Sequence, residues 1–67
     1  MKIAVDVMGG DFAPIAVVDG ILLALDSLSE NETILAIGPE KTIQQLLAER
    51  NYTGKQIEVI SAEQVIE

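Results

Sequence analysis

The hydrophobic period of this chain switches repeatedly between that of a strand and that of a helix, and few folds accommodate that order. Lys2 to Val7, "KIAVDV", is short, β-branched and apolar on both alternating faces except at Asp6. That is the pattern of a strand covered on both sides within a parallel sheet. From Pro14 to about Leu28, Ile15, Val18, Leu22 and Leu25 recur at intervals of three and four, with Ile21 and Leu28 widening the stripe into a helix. Thr33 to Ile37, "TILAI", is a second strand. Ile43, Leu46, Leu47 and Arg50 then line one face of a second helix, and Gln56 to Ile60, "QIEVI", is a third strand. A βαβαβ run joined by right-handed crossovers gives an α/β fold with a parallel sheet.

The punctuation agrees with these elements. Pro14 and Pro39 each suit a first helical position, where a missing N–H costs nothing. "SENE" closes the first helix and "NYTGK" is the loop after the second. Glu40 and Arg50 complement the dipole of the second helix at its two ends. Gly20 within the first helix costs roughly 1 kcal/mol relative to alanine and suggests close approach of a neighbouring backbone. Ala16, Leu23 and Ala24 broaden the apolar stripe, which suggests cover on more than one side. Asp19 and Asp26, one heptad apart, read as a solvated face. Ser61 with Gln64 three residues on reads as a capping box opening a further helix. Three parallel strands and two helices leave sheet edges and a helix face uncovered. We therefore expect residues 1–67 to be the amino-terminal βαβαβ portion of a larger single α/β catalytic domain.

Composition limits the chemistry. The chain has no cysteine and no histidine, so a zinc site or a histidine-based dyad is excluded within these 67 residues. A formal net charge of −7, with only Lys2, Lys41, Arg50 and Lys55 as basic groups, argues against nucleic acid, whose phosphates require clustered cations. The longest apolar run, Ile21 to Leu25, is far short of the ~18 to 20 residues of a membrane span. Carboxylates, hydroxyls and the backbone are what remain, and no serine or threonine has a base beside it in sequence.

One stretch stands out against that background. "VDVMGGDFAP", Val5 to Pro14, places Gly9 and Gly10 between Asp6 and Asp11 where a strand gives way to a helix. In open parallel sheets ligands bind beyond the carboxyl ends of the strands. Consecutive glycines permit positive φ and close backbone approach, and a helix amino end offers free N–H groups to an anion. The stretch is neither G-x-G-x-x-G nor a P-loop. A structural role for the glycines in turning the chain, and for Asp11 as a turn former, stands beside the binding role. Asp6, within a strand that reads as buried, requires a partner: the glycine turn itself, a basic residue elsewhere, or substrate.

The residues "MKIAVDVMGGDFAP", the helix "VVDGILLAL" and the strand "ILAIG" together resemble the amino terminus of the bacterial phosphate acyltransferases of the PlsX type. Their pattern is close to I-A-x-D-x-M-G-G-D-x-x-P, matched here by Asp6, Met8, Gly9, Gly10, Asp11 and Pro14. The closing "IEVISAEQVIE" resembles that family's third strand and following turn. The resemblance implies a three-layer α/β sandwich similar to isopropylmalate dehydrogenases and phosphate acetyltransferases. It also implies transfer of a fatty acyl group from acyl carrier protein to inorganic phosphate, giving acyl phosphate for phospholipid synthesis. It implies a cytoplasmic homodimer, loosely membrane-associated, with no cofactor. By the same resemblance Asp6 and Asp11 are candidate catalytic residues, and Met8, Gly9 and Gly10 candidate phosphate- or substrate-binding residues.

Three other readings remain open on sequence. A phosphate acetyl- or butyryltransferase would perform the same chemistry on coenzyme A thioesters. A dinucleotide-binding oxidoreductase half-domain shares the βαβαβ order, but the turn lacks a third glycine at the required spacing, and strand two ends in "AIGPE" with no acidic residue at its tip. A non-catalytic binding or assembly subunit could be built on the same fold.

Overall fold

A computed structural model describes residues 1–10 and 13–61 of the chain. The expected order is present: β1 (Lys2–Asp6), α1 (Ile15–Ala24), β2 (Thr33–Gly38), α2 (Glu40–Glu49) and β3 (Ile57–Ser61), with a 3-10 turn at Leu25–Ser27 closing α1. The strands form one parallel sheet in the order β1-β2-β3. Lys2 lies opposite Thr33 and Asp6 opposite Ile37; Ile34 lies opposite Ile57 and Gly38 opposite Ser61. All three strands therefore end at the same edge of the sheet.

Two crossovers of the same hand that step in one direction carry their helices to one face. A single core results, in which Val18 and Ile21 of α1 and Ile43, Leu46 and Leu47 of α2 meet Val7, Ile34 and Ala36 of the sheet side. Along β2 the residues alternate between half-buried and buried, with Ile34, Ala36 and Gly38 on the covered side. Val7, Val18 and Ile43 are the largest fully buried side chains. Each contributes about 1.5 to 3 kcal/mol by leaving water.

Several expectations are corrected by this arrangement. Among the described residues β1 is covered on one face only: Lys2, Ile3, Ala4 and Asp6 are exposed and Val5 is half-buried, because both helices lie on the same face and β2 is the one strand that pairs with β1 there. The further helical layer of a three-layer sandwich is not among the described residues. Gly20 makes no close approach, since a Cβ there would meet nothing within 4 Å. Ile15 and Leu23 are exposed at 54% and 76%, so the broad stripe of α1 is covered on one side only. Pro14 and Pro39 each sit one position earlier than expected, as N-caps. There their carbonyls accept the first helical bonds, from Val18 and Ile43, and no N–H of their own is needed. Ser61 is the last residue of β3, and the rest of the helix expected from it lies outside the described residues.

The second helix ends for a visible reason. Asn51 takes a positive φ of 58°, the Asn51 amide donates to the Ala48 carbonyl and the Tyr52 amide to the Leu47 carbonyl. This is a Schellman motif with asparagine in the left-handed position that glycine more often fills. Arg50 adds to it, donating from Nη1 to the Leu46 carbonyl at 3.1 Å. The α1–β2 loop is fixed from a distance: Gln56 donates from Nε2 to the carbonyls of Ser29 and Glu32 at 2.7 and 3.0 Å.

Asp19 is not merely a solvated residue. Its carboxylate accepts a hydrogen bond from Nε of Arg50 and forms an ion pair that ties α1 to α2. That hydrogen bond holds the Asp19 carboxyl below the usual aspartate range against the opposing effect of desolvation, with the positive charge of Arg50 adding to it. The same contact raises the Arg50 guanidinium. A folded-state value that is depressed stabilises the native state above the unfolded-state value of about 3.9. The contribution disappears as pH falls through the folded value. Both groups face solvent, so the effect is small and screened by salt. Asp19→Asn in the folded protein is expected to lower the denaturant midpoint at pH 7 and to converge on the parent as pH falls from the ordinary aspartate range through the depressed folded value. A midpoint difference unchanged across that range would show that the ion pair contributes nothing.

Candidate functional site

The candidate site lies at the carboxyl edge of the sheet, where β1 runs into the glycine turn. Val7 sets its origin. The Val7 amide donates to the Ile37 carbonyl at 2.9 Å, extending the ladder one residue past β1, and its side chain is fully buried. The next two amides turn back on Asp6. Met8 N–H donates to the Asp6 Oδ1 carboxylate oxygen at 3.0 Å, and Gly9 N–H donates to the Asp6 backbone carbonyl at 3.1 Å. Of the partners left open by the sequence, the one observed for Asp6 is the glycine turn. Among the described residues Asp6 is exposed rather than buried.

The two glycines do different things. A Cβ on Gly9 would lie 3.4 Å from the Asp6 carbonyl oxygen and 3.6 Å from its carboxylate Oδ2, so Gly9 allows the turn to fold closely over Asp6. Gly10 has open space around it but a φ of +106°, which residues with a Cβ rarely adopt. A Cβ would meet only ordinary contacts at Gly9, whereas backbone conformation is the constraint at Gly10. Met8 stands between them and Val7, with its side chain 49% exposed. Asp11, the second candidate catalytic residue, lies outside the described residues.

The turn of β2 sits alongside. Val7, Gly38 and Ser61 form the last row of the sheet, one from each strand. A Cβ on Gly38 would lie 3.4 Å from Cδ1 of Ile43, 3.6 Å from Cβ of Val7 and 3.7 Å from Cγ of Met8. Gly38 thus forms the floor beneath Met8. The sequence marks it only as part of a strand-to-helix turn, because nothing local in "AIGPE" shows that the neighbour across the sheet is Met8.

This arrangement has definite chemical capacities. The amides of Met8 and Gly9 are engaged by Asp6, which leaves the amino end of α1 as the neighbouring place with backbone donors to offer. There the first free bond acceptor along the helix is the Pro14 carbonyl, taken by Val18, which leaves the amides before Val18 without helical partners. Arg50 is held by Asp19 in the exposed ion pair that ties it to α1. Among the described residues no group of three acidic side chains is placed to hold a metal ion, no enclosed pocket is formed, and no helix is long and apolar enough to cross a membrane.

Comparison with known proteins gives this geometry a context. The family model described as "Fatty acid synthesis protein" matches residues 1–67. A phosphate acyltransferase of Dictyoglomus thermophilum is 43% identical over 68 residues, covering 100% of this chain and 19% of that protein. A phosphate acyltransferase of Clostridium botulinum is 46% identical over 66 residues, covering 98% of this chain and 19% of that protein. One of Clostridium tetani is 48% identical over 68 residues, covering 98% of this chain and 20% of that protein. The chain thus spans about a fifth of the length of the curated relatives it matches. With a family match along its whole length and the glycine turn at the carboxyl edge of a parallel sheet, this chain belongs to the fatty acid synthesis protein family.

Proposed function

We propose that the protein carrying this segment transfers a fatty acyl group from an acyl carrier protein thioester to inorganic phosphate, forming acyl phosphate for phospholipid synthesis. The observation that carries the reading is the name shared by its relatives, phosphate acyltransferase, at 43% to 48% identity across the segment that holds the glycine turn. The chemistry asks little of covalent catalysis. A phosphate oxygen attacks the thioester carbonyl, a tetrahedral oxyanion forms, and the C–S bond breaks as the thiolate leaves and takes up a proton. Acyl phosphate and free thiol are the products. The site must therefore hold two anions close together and stabilise the oxyanion. No enzyme nucleophile and no cofactor is needed. On the same reading the protein works as a cytoplasmic homodimer that meets the membrane at its surface.

The roles of the turn follow from its geometry. Asp6 acts indirectly, holding the Met8 and Gly9 amides so that Gly10 and the start of α1 face the phosphate. Asp11, next in sequence after Gly10, is proposed to orient a donor to the phosphate or to accept a bond from its monoprotonated form. The acyl donor is tested by acyl-phosphate formation in the intact enzyme with acyl carrier protein and coenzyme A thioesters compared. Faster turnover of the coenzyme A thioester would move the assignment to the phosphate acetyl- or butyryltransferase chemistry.

Two substitutions test the site. Gly10→Val places a β-branched residue at a φ it resists, so activity is expected to fall by about tenfold or more while the melting temperature changes little. A melting temperature that collapses together with activity would make the glycine structural only. Asp11→Asn keeps the shape and removes the charge. It should raise the phosphate KM or lower kcat by about tenfold or more, the scale of one charge-assisted bond at about 1.5 to 3 kcal/mol, with thioester KM little changed. Unchanged phosphate dependence in a folded Asp11→Asn protein would reduce Asp11 to a device for starting α1.

A further inference from the structure

We propose that Gly38 is a positioning residue for the glycine turn: the absence of a side chain at the end of β2 fixes the height of Met8, and through it the turn that receives phosphate. This rests on the phosphate-binding reading of the turn and adds a residue to it from a different strand. The argument begins with what surrounds the missing side chain. A Cβ at Gly38 would touch Ile43, Val7 and Met8 at 3.4, 3.6 and 3.7 Å. Those are ordinary contact distances, so the space admits a methyl group and anything larger must displace a neighbour, while the φ of +159° strains any residue with a Cβ at this position. Ile43 and Val7 are both 0% exposed, closed in by the core on every other side. Close-packed interiors do not yield to added volume. Met8 is 49% exposed and is the one neighbour with somewhere to go.

Added volume at position 38 is therefore transmitted to Met8. Met8 is the residue whose amide is bound by the Asp6 carboxylate, and it precedes Gly9 and Gly10 directly. Whether its side chain swings into the mouth of the site or its backbone rises with it, the displacement reaches the turn. A side chain at Gly38 thus acts on the site without touching substrate, and removing the Met8 side chain should cancel the effect.

A double-mutant cycle in the intact acyltransferase tests this. Gly38→Val is expected to raise the phosphate KM about tenfold, with thioester KM little changed, a displacement of a fraction of an ångström being enough for such a loss. In a Met8→Ala background the same substitution should change the phosphate KM by less than about threefold, because the two sites are coupled through the contact removed. A purely structural role would lower the melting temperature and leave the cycle additive. The proposal is overturned if folded Gly38→Val keeps the parental phosphate KM while Gly10→Val raises it, or if Met8→Ala gives no relief. If neither Gly38→Val nor Gly10→Val moves the phosphate KM, the turn does not receive phosphate and both readings fall together. Should Gly38→Val not fold, Gly38→Ser replaces it in the cycle, since its hydroxyl exceeds the methyl group that the space admits, with an increase of about two- to threefold that Met8→Ala abolishes. A folded Gly38→Ser with the parental phosphate KM would overturn the proposal.

Discussion

The position of Val7 is the constraint on which the candidate site depends. Its amide is fixed to the Ile37 carbonyl and its side chain has no exposure, so the chain leaves β1 from a point that neither hydrogen bonding nor packing allows to move. Everything after it is short-range. Asp6, immediately before Val7, is close enough to receive the two amides that follow, and the turn closes over its own strand end. An edge strand is normally the least fixed part of a sheet. Here the ladder extends one residue past the strand, and a fully buried side chain from that residue enters the core shared by both helices. The flexibility conferred by two glycines is confined to the residues beyond a rigid origin.

An acidic turn beside an anion site looks self-defeating, and the hydrogen bonds show why it need not be. Like charges repel at short range, most of all where water is excluded. Asp6 places one carboxylate oxygen on the Met8 amide and lies exposed, where water screens the rest of its charge. The dipole of a bound amide partly offsets the carboxylate. The net charge of −7 matters less than it first suggests, because at physiological ionic strength charges farther apart than about 8 Å are largely screened. Local donors decide whether phosphate binds. That shifts attention from formal charge to which amides are engaged, and those of Met8 and Gly9 are taken by Asp6.

Much of the fold was legible because it follows from periodicity. All three strands and both helices lie within about two residues of the bounds that the apolar spacing gives, apart from α1, whose final turn tightens into a 3-10 segment. What was not legible is relational. Nothing in "KIAVDV" distinguishes an edge strand covered on one face from a central strand covered on two, since both are apolar at alternating positions. Gly20 has the same local sequence whether its face is packed or open, and it is open. Asp19 and Arg50 are 31 residues apart, so their pairing depends on how α1 and α2 lie against each other and has no local trace. The proline shifts are of another kind. Both N-cap and first helical position tolerate a missing N–H, and local rules do not choose between them.

The same distinction separates the legible from the illegible parts of the site. Asp6, Met8, Gly9 and Gly10 are contiguous, so a motif can display them together, and the turn they form is built largely from bonds two or three residues in span. Gly38 belongs to the site only because β2 pairs with β1 in one register, with Asp6 opposite Ile37. A shift of that register by one residue would turn Ile34 and Ala36 away from the helices and put a different residue under Met8, leaving the motif intact and the floor changed. The buried alternation along β2 rules against that shift by the cost of exposing those side chains. Core packing on β2 thus specifies the geometry of a turn on β1, and the two glycines of the motif and the one outside it are held in relation by the hydrophobic pattern between them.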